Sequence, residues 1–229
     1  MKRIKKFGYF FGVLYEKLKP FPKTLLSLLQ DKFGKDPFII LVSCMLSARS
    51  RDTVTYNVCI DLFNTYKTPK DILNEDIDAI ENKLRRIGCF RRKAAHLKML
   101  CKEIIERHKS SVPNDFDDLC SLSGVGRKTA SLVISAAFNI PSIAVDTHVF
   151  RIARKIGLSN KETALGVEKD LKKAIPKKFW SNVNDVFVRY GQNFCKYKDI
   201  NCSNCRDPNF CKWMLSFFLR SMPYIGVTK

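Results

Sequence analysis

Apolar residues recur along most of the chain at steps of three and four, the spacing of one face of an α-helix. Near the start, Ile4, Phe7, Phe11, Leu14 and Leu18 keep that step and predict a docked amphipathic helix. The same period predicts helices over Phe38 to Ser47, Thr53 to Phe63, Ile77 to Ile87, Arg92 to Glu106, Phe116 to Leu122, Arg127 to Ala137 and Val149 to Ile156. Further helices are expected over Thr163 to Ala174, Phe179 to Phe194 and the last apolar segment, Trp213 to Leu219. Alternating runs joined by hairpin turns, the mark of strands, are missing. Pro20, Pro22, Pro37, Pro69, Pro113, Pro141 and Pro176 fall between the helical segments, where a missing amide hydrogen costs least. The expectation is an all-α protein of many short helices and short loops.

Composition adds a partner to this picture. With 229 residues, 45% of them apolar, the chain has material for a folded core. Against 22 acidic residues it carries 41 Lys and Arg, a formal charge of +19. Self-repulsion on that scale opposes compaction and points to a polyanionic partner. Nucleic acid fits best, because each neutralised phosphate releases a counterion; membrane surfaces and ribosomal RNA share the charge argument.

The basic start followed by Phe7 to Tyr15 imitates a secretory signal, but Glu16-Lys17-Leu18-Lys19-Pro20 stands where a small-residue cleavage site belongs. Trp213 to Leu219 is far too short to span a bilayer, so no membrane association is expected. The odd count of nine cysteines, with no secretory leader, argues for a reducing compartment, and the cytoplasm is the expected location. Cys44, Cys59, Cys89, Cys101 and Cys120 lie mostly among apolar neighbours and read as small buried hydrophobes.

Three motifs carry chemistry. The first, Leu122-Ser123-Gly124-Val125-Gly126-Arg127-Lys128-Thr129-Ala130, joins two helical segments. Its glycines permit a tight turn whose backbone can approach another surface, and the following helix starts with unpaired amides suited to a phosphate. An ordinary helix–glycine–helix connection has the same outline. It is not a nucleotide P-loop, because the lysine spacing differs and no strand precedes it. Lys128 sits in the first turn of the second helix, with Leu132 and Ala136 to one side and Ser131 and Ser135 to the other. That position borders the expected buried face, where part desolvation would favour the neutral, nucleophilic amine. Phosphate binding is its plainer role.

The second motif, Val145-Asp146-Thr147-His148, follows an apolar stretch and opens a helix. Asp146 suits either an N-cap or a carboxylate that steadies a developing positive charge. His148 reads as a structural hydrogen-bonding residue.

The third motif is Cys195, Cys202, Cys205 and Cys211, spaced C-x6-C-x2-C-x5-C, a metal-binding set open to either zinc or an iron–sulfur cluster. Lys196, Lys198 and Arg206 beside it form a solvated basic loop or a second phosphate contact.

Together the hairpin with Lys128, the Val145–His148 run and the four cysteines resemble the endonuclease III branch of the helix–hairpin–helix DNA glycosylases, over roughly Pro22 to Cys211. The resemblance implies a six-helix barrel over residues 30–140 and an iron–sulfur lobe made of 1–29 with 141–229. It implies a [4Fe-4S] cluster on Cys195, Cys202, Cys205 and Cys211. DNA would lie between the lobes, with the damaged nucleotide flipped into the intervening cleft. Lys128 would attack the sugar C1′ and nick the strand by β-elimination through a Schiff base, with Asp146 assisting. The implied substrates are oxidised pyrimidines and abasic sites in double-stranded DNA, met on the chromosome by a monomer.

DNA contacts are implied for Gly124, Val125, Gly126 and Arg127, and for Arg49 in the gap-filling turn Met45 to Asp52. Cys89 and Phe90 in a second penetrating loop would join them, with Lys196, Lys198 and Arg206. Arg49 stands where glutamine is frequent, Cys89 where leucine is, and Ser123 where proline is. Adenine-mismatch and thymine-mismatch relatives fit less well, because Lys128 is present and little chain follows Cys211. A non-catalytic DNA-binding protein would explain the charge and cysteines but leave Lys128 and Asp146 without chemistry.

Overall fold

The computed structural model describes residues 2–195 and 206–221. Among them are thirteen α-helices and no strand: α1 (Lys2–Leu18), α2 (Leu25–Phe33), α3 (Pro37–Ser47), α4 (Asp52–Thr65), α5 (Pro69–Asn74), α6 (Ile77–Leu84), α7 (Phe90–Arg107), α8 (Phe116–Ser121), α9 (Arg127–Phe138), α10 (Thr147–Lys155), α11 (Ala164–Ala174), α12 (Trp180–Asn193) and α13 (Pro208–Ser221). A 3-10 turn, Lys177–Phe179, leads into α12. The all-α expectation is met. Two helices escaped the periodicity: α2 and the six-residue α5. The helix expected to reach Ile87 ends at Leu84, where a turn takes over.

The chain divides into two compact units, residues 1–22 with 141–229, and residues 23–140. Helix α2 spans the join expected at residues 29 and 30, and it packs on α3 and α4 within the second unit. That unit holds eight helices, six of them eight residues or longer.

At its centre is α3, opened by the Asp36 side chain accepting from Ile39 N at 2.9 Å, with Pro37 in the first turn. Every side chain from Phe38 to Leu46 is buried, so this helix has no solvent face. Burial of a side chain such as Leu41 or Leu46 stabilises the fold by about 1.5–3 kcal/mol. Around it pack α2, α4, α7 and α9.

The other unit is built on aromatics. Phe7, Phe10, Phe11, Leu14 and Leu18 of α1 are buried, while Ile4 is exposed. The buried arc therefore keeps Phe7, Phe11, Leu14 and Leu18 of the predicted stripe, adds Phe10 and leaves out Ile4. Phe10 meets Trp213, Phe217 and Phe218 of α13, and Phe11 stacks on Phe179. Arg189 of α12, itself buried, donates to the carbonyls of Leu18, Phe21 and Pro22, which closes the end of α1. No helix among the described residues is long and apolar enough to cross a membrane.

Candidate nucleic-acid interface

The hairpin in residues 23–140 starts where α8 stops at Leu122. Val125 N donates to Leu122 O at 3.1 Å, which closes the turn, and Gly124 takes φ 77° in the left-handed region. A Cβ on Gly124 would lie 3.0 Å from Met45 Sδ and 3.2 Å from His96 Cβ, so the turn is pressed against α3 and α7. Gly126 differs: a Cβ there would meet nothing, and the backbone faces open space. Val125 is buried, so its side chain belongs to the core and only its backbone is left for a partner.

Lys128 follows one residue into α9 and is exposed. The core face of α9 runs through Ala130, Ser131, Val133 and Ile134, nearly opposite Lys128 on the helix wheel. The expected part-desolvation is therefore corrected. Ser131, on the side of Lys128 away from Leu132, is buried. The Lys128 ammonium is felt by the buried Cys44 thiol, which burial pushes up to about 12 and the lysine charge pulls back. Arg127, also exposed, lies 4.9 Å from the Phe116 ring centroid.

Two neighbouring turns share the unit. Arg49 is exposed at φ 54°, in a turn held by Ser50 N donating to Ser47 O at 3.1 Å. Cys89, exposed at φ 57°, precedes the half-buried Phe90. Cys89 is thus not the buried hydrophobe its composition class suggested, whereas Cys44, Cys59 and Cys101 are buried. A Cβ on Gly88 would lie 3.1 Å from the Arg49 carbonyl oxygen, so these two turns touch.

Helix caps divide the unit further. Thr24, Asp36, Thr68, Asp76 and Asp115 cap α2, α3, α5, α6 and α8 with their side chains. Helices α4, α7 and α9 begin at Arg51, Cys89 and Gly126 with no side-chain cap hydrogen bond. These are the three helices that follow the three turns. First-turn amides without a side-chain acceptor suit an outside anion. Exposed Arg51, Arg85, Arg86 and Arg92 lie close in sequence to the starts of α4 and α7.

Sequence reasoning passed over two residues of α7. Lys93 is buried and donates from Nζ to Leu46 O at 2.9 Å, tying α7 to the end of α3. Burial holds its amine below the usual lysine range. Glu103 accepts from Ser123 N at 2.7 Å and Ser123 Oγ at 2.9 Å, at the entry to the hairpin. Neither contact has a sequence signal, because both join residues far apart in the chain.

In the other unit, Asp146 caps α10. Its Oδ1 accepts from His148 N at 3.0 Å and Val149 N at 2.8 Å. Asn184 of α12 donates to Ala144 O at 3.1 Å and steadies the approach to it. Arg151 donates to His148 Nδ1 at 3.1 Å, to Gly191 O and to Cys195 O. His148 is thus a structural hydrogen-bonding residue, as expected.

Cys195 is buried, and Cys211 is half-buried against the same apolar cluster. Cys202, Cys205, Lys196 and Lys198 lie outside the described residues, and among those described no three metal-ligating side chains gather. Two described contacts flank the cysteine loop. Arg151 holds the carbonyl of its first cysteine, and Lys17 pairs with Asp207 just before its last. Arg206, at the return of that loop, is exposed.

An all-α chain with a glycine hairpin, an exposed first-turn lysine and a capping aspartate has counterparts among proteins of known class. Residues 42–177 match the HhH-GPD superfamily base excision DNA repair proteins. An endonuclease III of Rickettsia felis is 38% identical over 200 residues, covering 87% of this chain and 91% of its own. A non-covalent endonuclease III–DNA complex superposes with a TM-score of 0.77 at 32% identity, over 96% of this chain and 98% of that one. A trapped endonuclease III–DNA covalent intermediate gives 0.70 at 36% identity, over 80% and 92%. The chain belongs to the endonuclease III family, and so to the DNA glycosylases and abasic-site lyases of base excision repair.

Proposed function

We propose that this enzyme removes oxidised pyrimidines from double-stranded DNA and nicks the strand by β-elimination, with Lys128 as nucleophile. The observation that carries the reading is an exposed amine in the first turn of α9, immediately beyond a hairpin whose Gly126 backbone faces open space. Support comes from the solved relative trapped as a covalent DNA intermediate.

The Lys128 amine, once deprotonated, forms a bond to C1′ of the lesion sugar while the C1′–N bond to the base breaks; the base leaves with a proton. The ring C1′–O bond then opens to give the Schiff base. Loss of a C2′ proton expels the 3′ phosphate, and water releases the sugar remnant from Lys128. Asp146 presents a negative charge to the sugar as positive charge develops.

Gly124 and Gly126, with Arg127, would grip the phosphates, and Val125 between them, its amide closing the turn on Leu122, would hold the hairpin backbone against the duplex. Arg49, Cys89 and Phe90 would fill the gap left by the extruded base. Lys196, Lys198 and Arg206 would add a contact from the cysteine loop. Cys195, Cys202, Cys205 and Cys211 would hold a [4Fe-4S] cluster, which supplies a rigid staple with redox capacity. The protein would act as a monomer on chromosomal DNA in the cytoplasm.

Borohydride reduction on a duplex containing an abasic site tests the nucleophile. A covalent adduct is expected from the wild type and none from Lys128→Ala; equal trapping by both would move the nucleophile elsewhere. Purified protein is expected to be brown, with about four irons per chain. Colourless protein with stoichiometric zinc would remove the cluster from this reading.

A further inference from the structure

We propose that Glu103 is a positioning residue for the DNA-gripping hairpin, acting through Ser123. The hairpin is pinned at three successive residues: Ser123 by the Glu103 carboxylate, Gly124 against His96 and Met45, and Val125 in the core. Beyond them, the N-cap Gly126 brings no side-chain cap to α9, and the exposed backbone there takes its geometry from these pins. Glu103 accepts from both donors of Ser123, one on each oxygen, which fixes the direction in which the chain leaves α8.

The arrangement extends along α7. His96 and Glu103 are seven residues apart, two helical turns, and share a face; Lys93 one turn earlier anchors the end of α3. One rigid helix thus sets both the hairpin and the Arg49 turn.

Electrostatics separates this role from a simpler one. Among the described residues no ion pair involves Glu103, and a carboxylate beside a phosphate grip repels the ligand. If charge were its only effect, removing it would tighten DNA binding. If positioning dominates, removing it loosens the grip. The two readings predict opposite signs.

The inference rests on the hairpin being the phosphate grip, and the test keeps the two apart. Affinity for an undamaged duplex is measured by fluorescence anisotropy for wild type, Glu103→Ala, Glu103→Gln, Ser123→Ala and Glu103→Ala/Ser123→Ala. Circular dichroism at the same temperature checks that each is folded. Glu103→Ala should weaken binding about tenfold, equivalent to roughly 1.4 kcal/mol, as loss of a charge-assisted hydrogen bond would give. Glu103→Gln, which retains an accepting oxygen, and Ser123→Ala should each cost about threefold. Ser123→Ala should cost nothing further once Glu103 is gone.

The loss should sit in affinity. At saturating duplex, the trapping rate should change less than threefold, because α9 and its lysine are held independently by Ala130, Val133 and Ile134. Folded Glu103→Ala binding as tightly as wild type, or more tightly, would overturn the proposal. If that variant does not fold, wild-type affinity in both Glu103→Gln and Ser123→Ala would overturn it equally. A wild type that binds duplex but forms no covalent adduct would count against the nucleophile reading, and the affinity comparison would still decide this one.

Discussion

With Oδ1 of Asp146 taken by the amides of His148 and Val149, Oδ2 is the oxygen left for a substrate. The proposed chemical role is therefore compatible with the cap on one carboxylate. They separate by substitution. Asp146→Asn keeps an accepting oxygen for the cap but loses the charge. Its melting temperature should stay near wild type while excision of a damaged base falls by about 100-fold or more, the scale of an electrostatic contact to the transition state. Asp146→Ala should lose the cap as well and about 1 kcal/mol of stability. Excision by Asp146→Asn at the wild-type rate would leave the residue a cap alone. The capping role was legible, because an aspartate before an apolar helical period is a start signal. The exposure of Lys128 was not: a wheel gives angles between residues, but which arc faces the core depended on Ser131 being buried.

At the level of elements, α10 and α12 approach so closely that a Cβ on Gly191 would sit 2.4 Å from His148 Nδ1. Gly191→Ala should therefore destabilise by about 1–3 kcal/mol through overpacking. A thermal melt checks this; an unchanged midpoint would mean that the His148 ring swings aside freely. Long helices such as α7 and α12 could be read from periodicity because each shows several turns of one apolar face. Helix α5 could not, since six residues hold too few repeats, and its start depends on the Thr68–Asp71 capping box. The basic arginines around the Cys89 turn were also hidden, because cations occur all along this chain. Glu103 and Lys93 belong to tertiary contacts that no local pattern announces.

Across the whole molecule, buried thiols set the alkaline limit. Burial raises the thiols of Cys44 and Cys101 to about 12 and that of Cys59 to about 11, from an ordinary value of 9.0. Above pH 9 the unfolded chain sheds thiol protons that the folded chain keeps, so stability falls as pH rises, by up to about 1.4 kcal/mol per unit for each thiol. Lys93 opposes this: its lowered value means the folded amine loses its proton first, and stability rises with pH until the unfolded lysine titrates near 10.5. Three thiols outweigh one amine. The melting temperature should drop between pH 9 and 10.5, and Cys44→Ala, Cys59→Ala and Cys101→Ala combined should flatten that slope; an unchanged slope would sink the assignment. The bare starts of α4, α7 and α9 set a different limit, one that concerns thermostabilisation. Replacing Arg51, Cys89 or Gly126 with aspartate is the ordinary way to strengthen such helices, by about 0.5–2 kcal/mol each where the backbone permits. On the proposed DNA-binding role each replacement sets an anion at a helix start that faces the duplex, so a hardier variant made this way is expected to bind DNA more weakly and to be a poorer repair enzyme.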